Sequence, residues 1–296
     1  MIKKILLSTT LSVCAHAQDA FTLLPHPDKL LSPDITEASG LAVSPRSEDF
    51  FWVINDSGGS PEIHLCNTDG TPRGSVKIKG LKNKDWEDLS AFTYQGESYL
   101  LIADIGDNTA ERDSVSLYIV REPAIPSTGK SVSGKIPIAW KIEFTYEEGA
   151  RDCESVAVDP REEKIILISK RTKPPEVYEL PLRPKKKHPV AKRIGKTLTI
   201  APALSFLPHR NQPTGLDISS DGSSAVIVTY YGVFLFPKAK EKKWSEAFAA
   251  KPVRIGSHKL PQSESVAFSN DGKSIYCVSE GKNSSIAIFQ AGVEGE

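Results

Sequence analysis

A short pattern recurs five times along this chain, as Ser39-Gly40-Leu41-Ala42-Val43, Glu87-Asp88-Leu89-Ser90-Ala91, Glu154-Ser155-Val156-Ala157-Val158, Thr214-Gly215-Leu216-Asp217-Ile218 and Glu264-Ser265-Val266-Ala267-Phe268. Each copy opens a strand, passes through a turn and is answered by a second, more apolar strand. From the first residue of one copy to the next the intervals are 48, 67, 60 and 50 residues. That spacing fits the four-stranded blades of an all-β propeller, and neither a Rossmann nor a helical repeat. Five blades follow, with six as the alternative if the long interval after Glu87 hides a further hairpin between Ser114 and Tyr146. The ring then closes through an N-terminal strand near Phe21-Thr22-Leu23-Leu24, which completes the last blade.

Strand limits follow from alternation and β-branched content. In the first repeat they fall at Gly40 to Ser44, Phe50 to Asn55, Glu62 to Cys66 and Gly74 to Ile78. Ser220-Asp221-Gly222 and Asn270-Asp271-Gly272 place Gly where a hairpin turn needs positive φ. Only residues 241–251 carry a helix signal. The charge runs Lys185-Lys186-Lys187-His188 and Lys238 to Lys243 read as solvated loop tips.

Met1 to Ala17 has a Lys3-Lys4 start, an apolar stretch from Ile5 to Val13 and the small-x-small ending Ala15-His16-Ala17. This is the pattern of a secretory signal cleaved after Ala17, too short to cross roughly 30 Å of hydrocarbon. A lipoprotein variant acylated at Cys14 is the minority reading. Residues 18–296 then form one propeller domain, periplasmic or extracellular and expected to be a monomer. Lysine plus arginine and aspartate plus glutamate both number 37, so no global field draws in nucleic acid or an anionic bilayer. After cleavage Cys66, Cys153 and Cys277 remain, an odd set expected to be free, buried thiols. None of His26, His64, His188, His209 and His258 has neighbours that mark it as a base.

The start of a blade's first strand and the end of its second reach the same rim. The starts contribute Ser39, Glu87, Glu154, Thr214 and Glu264, with Glu37 and Asp88 beside them; the ends contribute Asp56, Asp104, Lys170, Tyr230 and Glu280. Carboxylates crowded in a partly desolvated funnel need protons, ion pairs or a bound cation. Oxygen donors without thiolate or imidazole suit calcium or magnesium. The metal set expected from this reasoning is Glu87, Asp104, Asp107, Glu154 and Glu264. The ligand-facing set is Asp56, Trp86, Lys170, Tyr230 and Glu280. Alternatively Lys170, Arg151 and Arg171 supply the counter-charge, and the acids only bond backbone amides. Around Asp85-Trp86-Glu87-Asp88, Asp104-Ile105-Gly106-Asp107-Asn108 and Arg112, a cation loop and an Asx-rich turn bridged by arginine are both open. Asn55-Asp56-Ser57-Gly58-Gly59-Ser60 offers amides to an anion or to sugar hydroxyls, or is simply a mobile loop. Trp52 and Tyr231 either stack on a ligand or belong to the core. No nucleophile elbow, zincin or dinucleotide motif is present.

Asp85-Trp86-Glu87-Asp88, Ile105-Gly106-Asp107-Asn108 with Arg112, Glu154-Ser155-Val156-Ala157-Val158-Asp159-Pro160 with Ser169-Lys170-Arg171, and Glu264-Ser265-Val266-Ala267-Phe268 with Val278-Ser279-Glu280-Gly281 resemble a group of secreted bacterial β-propellers, similar in layout to the SdiA-regulated family. The resemblance spans the mature chain and implies the fold, together with a calcium-type site near the axis on Glu87, Glu154 and Glu264. Ser39 and Thr214 break the glutamate pattern. Two functions follow as expectations. The first is an exported, non-enzymatic propeller that binds a small molecule or protein at an acidic mouth organised by calcium. The alternative is a metal-dependent hydrolase of lactonase or phosphoesterase type with Asp56 or Asp104 as base.

Overall fold

The computed structural model describes residues 21–25, 29–127, 129–197, 200 and 211–292. The expected signal segment, its cleavage point, Cys14, His26 and His209 lie outside the described residues. No helix among the described residues is long and apolar enough to cross a membrane.

After β1 (Phe21–Leu23), the described strands trace successive four-stranded antiparallel units, two of which are joined edge to edge into one eight-stranded sheet by a parallel pairing of Thr145 and Tyr146 with Val190 and Ala191. The first is β2 (Ala38–Val43), β3 (Phe50–Asn55), β4 (Glu62–Asn67) and β5 (Pro72–Ile78). The second is β6 (Trp86–Tyr94), β7 (Glu97–Asp104), β8 (Val115–Arg121) and, after the short β9 (Lys135–Ile136), β10 (Trp140–Tyr146). The third is β11 (Cys153–Asp159), β12 (Lys164–Ser169), β13 (Glu176–Pro181) and β14 (Val190–Lys196). The fourth is β15 (Gly215–Ile218), β16 (Ser224–Thr229), β17 (Gly232–Pro237) and, after helix α1 (Trp244–Ala249), β18 (Val253–Gly256). The fifth is β19 (Ser263–Phe268), β20 (Ser274–Ser279) and β21 (Ile286–Ala291), completed by β1, which pairs antiparallel with β21. The protein is therefore an all-β propeller whose last sheet is finished by its N-terminal strand.

Period-two alternation builds the ring. Within β7, Leu100 and Ile102 pack toward the first unit, while Leu101 and Ala103 pack toward the third. In β12, Ile165 and Leu167 face the second unit, and Ile166 and Ile168 the fourth. Both faces of these middle strands are covered, so they read as apolar runs. Five apolar clusters result, each shared by two successive units, and one of them joins the last unit to the first. Fully burying each such aliphatic side chain is worth about 1.5–3 kcal/mol.

The inner strands approach so closely that side chains are excluded at some positions. A Cβ on Gly40 would lie 2.6 Å from the Leu89 amide nitrogen. The long second interval holds no extra hairpin among its described residues. It contains an excursion that adds β9 in parallel to β5 and lodges the buried Glu122 against Ser44 and Trp52 of the first unit. Lys238 departs from the solvated-tip expectation: it is buried beside the Trp244 ring, with Glu162 as ion partner at 2.9 Å. Residues 185–188 are exposed, as the charge run implies. Cys66, Cys153 and Cys277 are free and buried, and burial pushes the Cys66 and Cys153 thiols up to about 12.

Candidate functional site

Four of the five inner strands carry a β-bulge at their entry, and the extra residue in each is Ser39, Glu87, Glu154 or Glu264. A bulged residue leaves the ladder, and the kink re-aims its side chain. The neighbouring backbone repeats one further contact. The carbonyl two residues before the bulge accepts an amide from the segment leaving the second strand: Glu37 from Asp56 (2.9 Å), Asp85 from Gly106 (3.2 Å), Asp152 from Lys170 (3.1 Å) and Gln262 from Glu280 (3.0 Å). Bulge residues and strand ends thereby meet at one rim.

Two overlapping carboxylate groups occupy that rim. Asp56, Asp85 and Glu87 form one; Glu87, Asp152 and Glu154 form the other, and within each group one oxygen per residue lies within 4.8 Å of the rest. Glu87 is 5 % exposed, and among the described residues neither of its oxygens has a hydrogen-bond donor or ion-pair partner. Burial, then Glu154, Asp56 and Asp85, hold its carboxyl well above the usual range. A Cβ on Gly106 would collide with the Glu87 and Asp85 carboxylates, so glycine there keeps the space between them open.

The cations are few and specifically engaged. Lys170 pairs with Glu154, lies 4.0 Å from Glu264 and sits 5.7 Å from the centroid of the Tyr230 ring. Its own ionisation is favoured, since Glu154 and Glu264 outweigh burial. Tyr230 donates its hydroxyl to Glu264. Arg171 pairs with Asp152 at 2.7 Å. Burial, followed by Asp85, Glu264 and Glu37, pushes Asp56 up to about 6 against the pull of the Ser57 amide. Burial and Glu264 push Glu280 up to about 8.

Several expected residues stand elsewhere. The Asp104 carboxylate is taken by Arg112 at 2.8 Å, and Arg112 also donates to the Gly106 carbonyl at 2.7 Å. Asp107 accepts the amides of Glu111 and Arg112 at 2.9 and 3.0 Å, which makes this segment an Asx-type turn bridged by arginine. The Asp107 amide donates to Asp152, which sets the turn beside the carboxylates without adding its own side chain to either group. Trp86 is fully buried between the first and second units, because the residue next to a bulged glutamate faces the sheet interface. Trp52 is likewise core and donates to Glu122. Tyr231 packs against the cluster between the third and fourth units. Arg151 pairs with Glu176 instead of any mouth acid. Ser39 and Thr214 donate their hydroxyls to the carbonyls of Trp86 and Ser263, stitching adjacent units where the other repeats carry glutamate.

Asp152 was not singled out from the sequence, and Asp85 entered only as part of a possible cation loop, outside the expected metal set. Their signal is the position two residues before the bulge, occupied along the repeats by Glu37, Asp85, Asp152, Gln212 and Gln262. Beside Asp56 opens a cleft of about 460 Å³ whose walls include Glu37, Asn55, Gly58, Gly59 and His64. Its glycine-rich wall is pinned by the Asn83 side-chain amide, which donates to the Asn55 and Asp56 carbonyls at 2.9 and 2.7 Å.

Fold and rim together define a β-propeller with a carboxylate-lined mouth. No family model matches the chain, and no curated protein does. Among solved structures, a gluconolactonase from Xanthomonas campestris is similar at 12 % identity and a TM-score of 0.48, over 86 % of this chain and 72 % of that one. A putative 6-phosphogluconolactonase from Bacteroides uniformis is similar at 14 % identity and 0.42, over 87 % and 68 %. Hydrazine synthase from Kuenenia stuttgartiensis is similar at 12 % and 0.44, over 87 % and 72 %. Likeness at this level assigns no activity to this chain.

Proposed function

We propose that this protein is an exported, calcium-dependent hydrolase of the lactonase or phosphoesterase kind, with its ion at the propeller mouth. The observation that carries the reading is Glu87, a buried carboxylate without a donor among the described residues, at which two three-carboxylate groups meet. Anions so placed require a proton or a cation, and an all-oxygen donor set favours a hard divalent ion. When bound there, the ion supplies Lewis-acid polarisation of a carbonyl or phosphoryl oxygen. Asp56 supports hydrolysis over binding alone. It belongs both to a carboxylate group and to the wall of the cleft. From the cleft wall its carboxylate can accept a proton from an attacking water.

The test is thermal melting with calcium and with chelator, followed by a lactone and phosphoester screen on the calcium-loaded protein. A calcium-dependent rise in melting temperature, with turnover abolished in Glu154→Gln, is expected. A rise without turnover would leave a calcium-organised binding module. No rise would leave Lys170 and Arg171 as the whole of the counter-charge.

A further inference from the structure

Lys170 has two carboxylates within reach, and one of them belongs to the candidate cation centre. Its ammonium pairs with Oε2 of Glu154, while Oε1 of Glu264 lies 4.0 Å away with the Tyr230 ring alongside. Its amide is tied to the Asp152 carbonyl at 3.1 Å, and its side chain is 9 % exposed, so the ammonium has no ready path to solvent. Glu154 is also a member of the group with Glu87 and Asp152. An ammonium and a divalent ion sharing one carboxylate repel each other across it, which favours their alternation there. Glu264 is already in place for the displaced charge, held by the Tyr230 hydroxyl. Glu87, buried and without a donor among the described residues, shows independently that the lysine alone does not satisfy the centre.

Resting on the cation reading above, we propose that Lys170 is a tethered, exchangeable occupant of the cation centre. It neutralises Glu154 while no divalent ion is bound and moves onto Glu264 and the Tyr230 face when one arrives. Lys170 thereby sets the affinity of the site. It also favours divalent over monovalent ions, because a single positive charge gains little by displacing an ammonium that already carries one.

Calorimetric titration of chelator-stripped full-length protein with calcium chloride tests this. Lys170→Met removes the competitor while keeping an apolar stem against Tyr230, and calcium should bind at least about tenfold more tightly than to the wild type. Glu264→Gln removes the alternative seat, and calcium should bind more weakly. In the double variant the Glu264→Gln effect should largely vanish, because it acts through the lysine. Circular dichroism checks the fold, and Lys170→Gln replaces the methionine variant if that does not fold. Wild-type binding with no tightening in the lysine variants overturns the proposal and leaves the cation reading standing. An equal Glu264→Gln loss with and without the lysine overturns it as well. Absence of calcium binding in wild type and variants alike overturns the cation reading itself, and the exchange with it.

Discussion

Glu87 combines two properties that stable proteins rarely join in one side chain: deep burial and a carboxylate with no donor among the described residues. Most of the acids around it have at least one partner. Asp56 accepts the Ser57 amide, Asp152 has Arg171, and Glu154 has Lys170. Removing the charge at Glu87 should therefore stabilise the cation-free protein and abolish its response to calcium. The expected result for Glu87→Gln is a higher melting temperature in chelator, by roughly 1 kcal/mol of stability, with no further rise on adding calcium. A melting temperature lowered in chelator would mean that the carboxylate is satisfied in solution, and the argument for a cation at this position would fall. The residue scale also shows what the sequence could not decide. Asp104 and Arg112 stand eight positions apart across a turn, and only the folded loop turns Asp104 from a candidate ligand into half of a 2.8 Å ion pair.

At the scale of elements, the inner strands are held together by side chains that reach between units. Asp88 accepts amides from Leu89 of its own strand, from Val156 of β11 and from Leu216 of β15, so one carboxylate links three inner strands. Asp88→Ala would leave these buried amides without acceptors and should cost about 3 kcal/mol or more, read as a lowered urea midpoint. A change within about 0.5 kcal/mol would show that the link is dispensable. Asp88 follows the bulged Glu87 directly, so the bulge divides labour between neighbours: one acid faces the mouth, the next locks the axis. The strand pattern itself was legible, because apolar neighbours on both faces of β7 and β12 make them read as short apolar runs. So was the meeting of strand starts and ends, which brought Asp56, Glu87, Glu154, Lys170, Tyr230, Glu264 and Glu280 to one rim. The bulges were not legible, since no residue type compels one. Without them the register gave no reason to rank Asp85 and Asp152 with Glu87, or to send Trp86 inward.

For the whole molecule, closure by β1 means that every unit has two neighbours, and no inner strand can retreat from the rim without opening the ring. The mouth acids therefore remain crowded, and their cost should appear as a pH dependence of global stability. Asp56 stands at about 6 in the folded chain against 3.8 in the unfolded one, and Glu280 at about 8 against 4.5. Both folded values are raised, so the folded protein binds these protons more tightly. The stability they contribute is complete below the unfolded values and is lost as pH rises through about 6 for Asp56 and about 8 for Glu280. Of the groups acting the other way, Asp221 and Asp271 in their serine-rich turns titrate below 3.8 and stay out of this window, whereas His64, held below 6.5 by burial, gains stability as pH rises through the acid end and makes the decline shallower there. Lys170, raised above 10.5, lies beyond its upper end. In chelator, the melting temperature should thus decline steadily as pH rises from about 5 toward about 9. Calcium should flatten that decline most at its alkaline end, where an ion can replace the protons the crowded carboxylates have lost. Melting curves across this range, with and without calcium, measure both slopes. Parallel slopes would show that the protons are lost far from any cation, and would separate the acidic mouth from metal binding altogether.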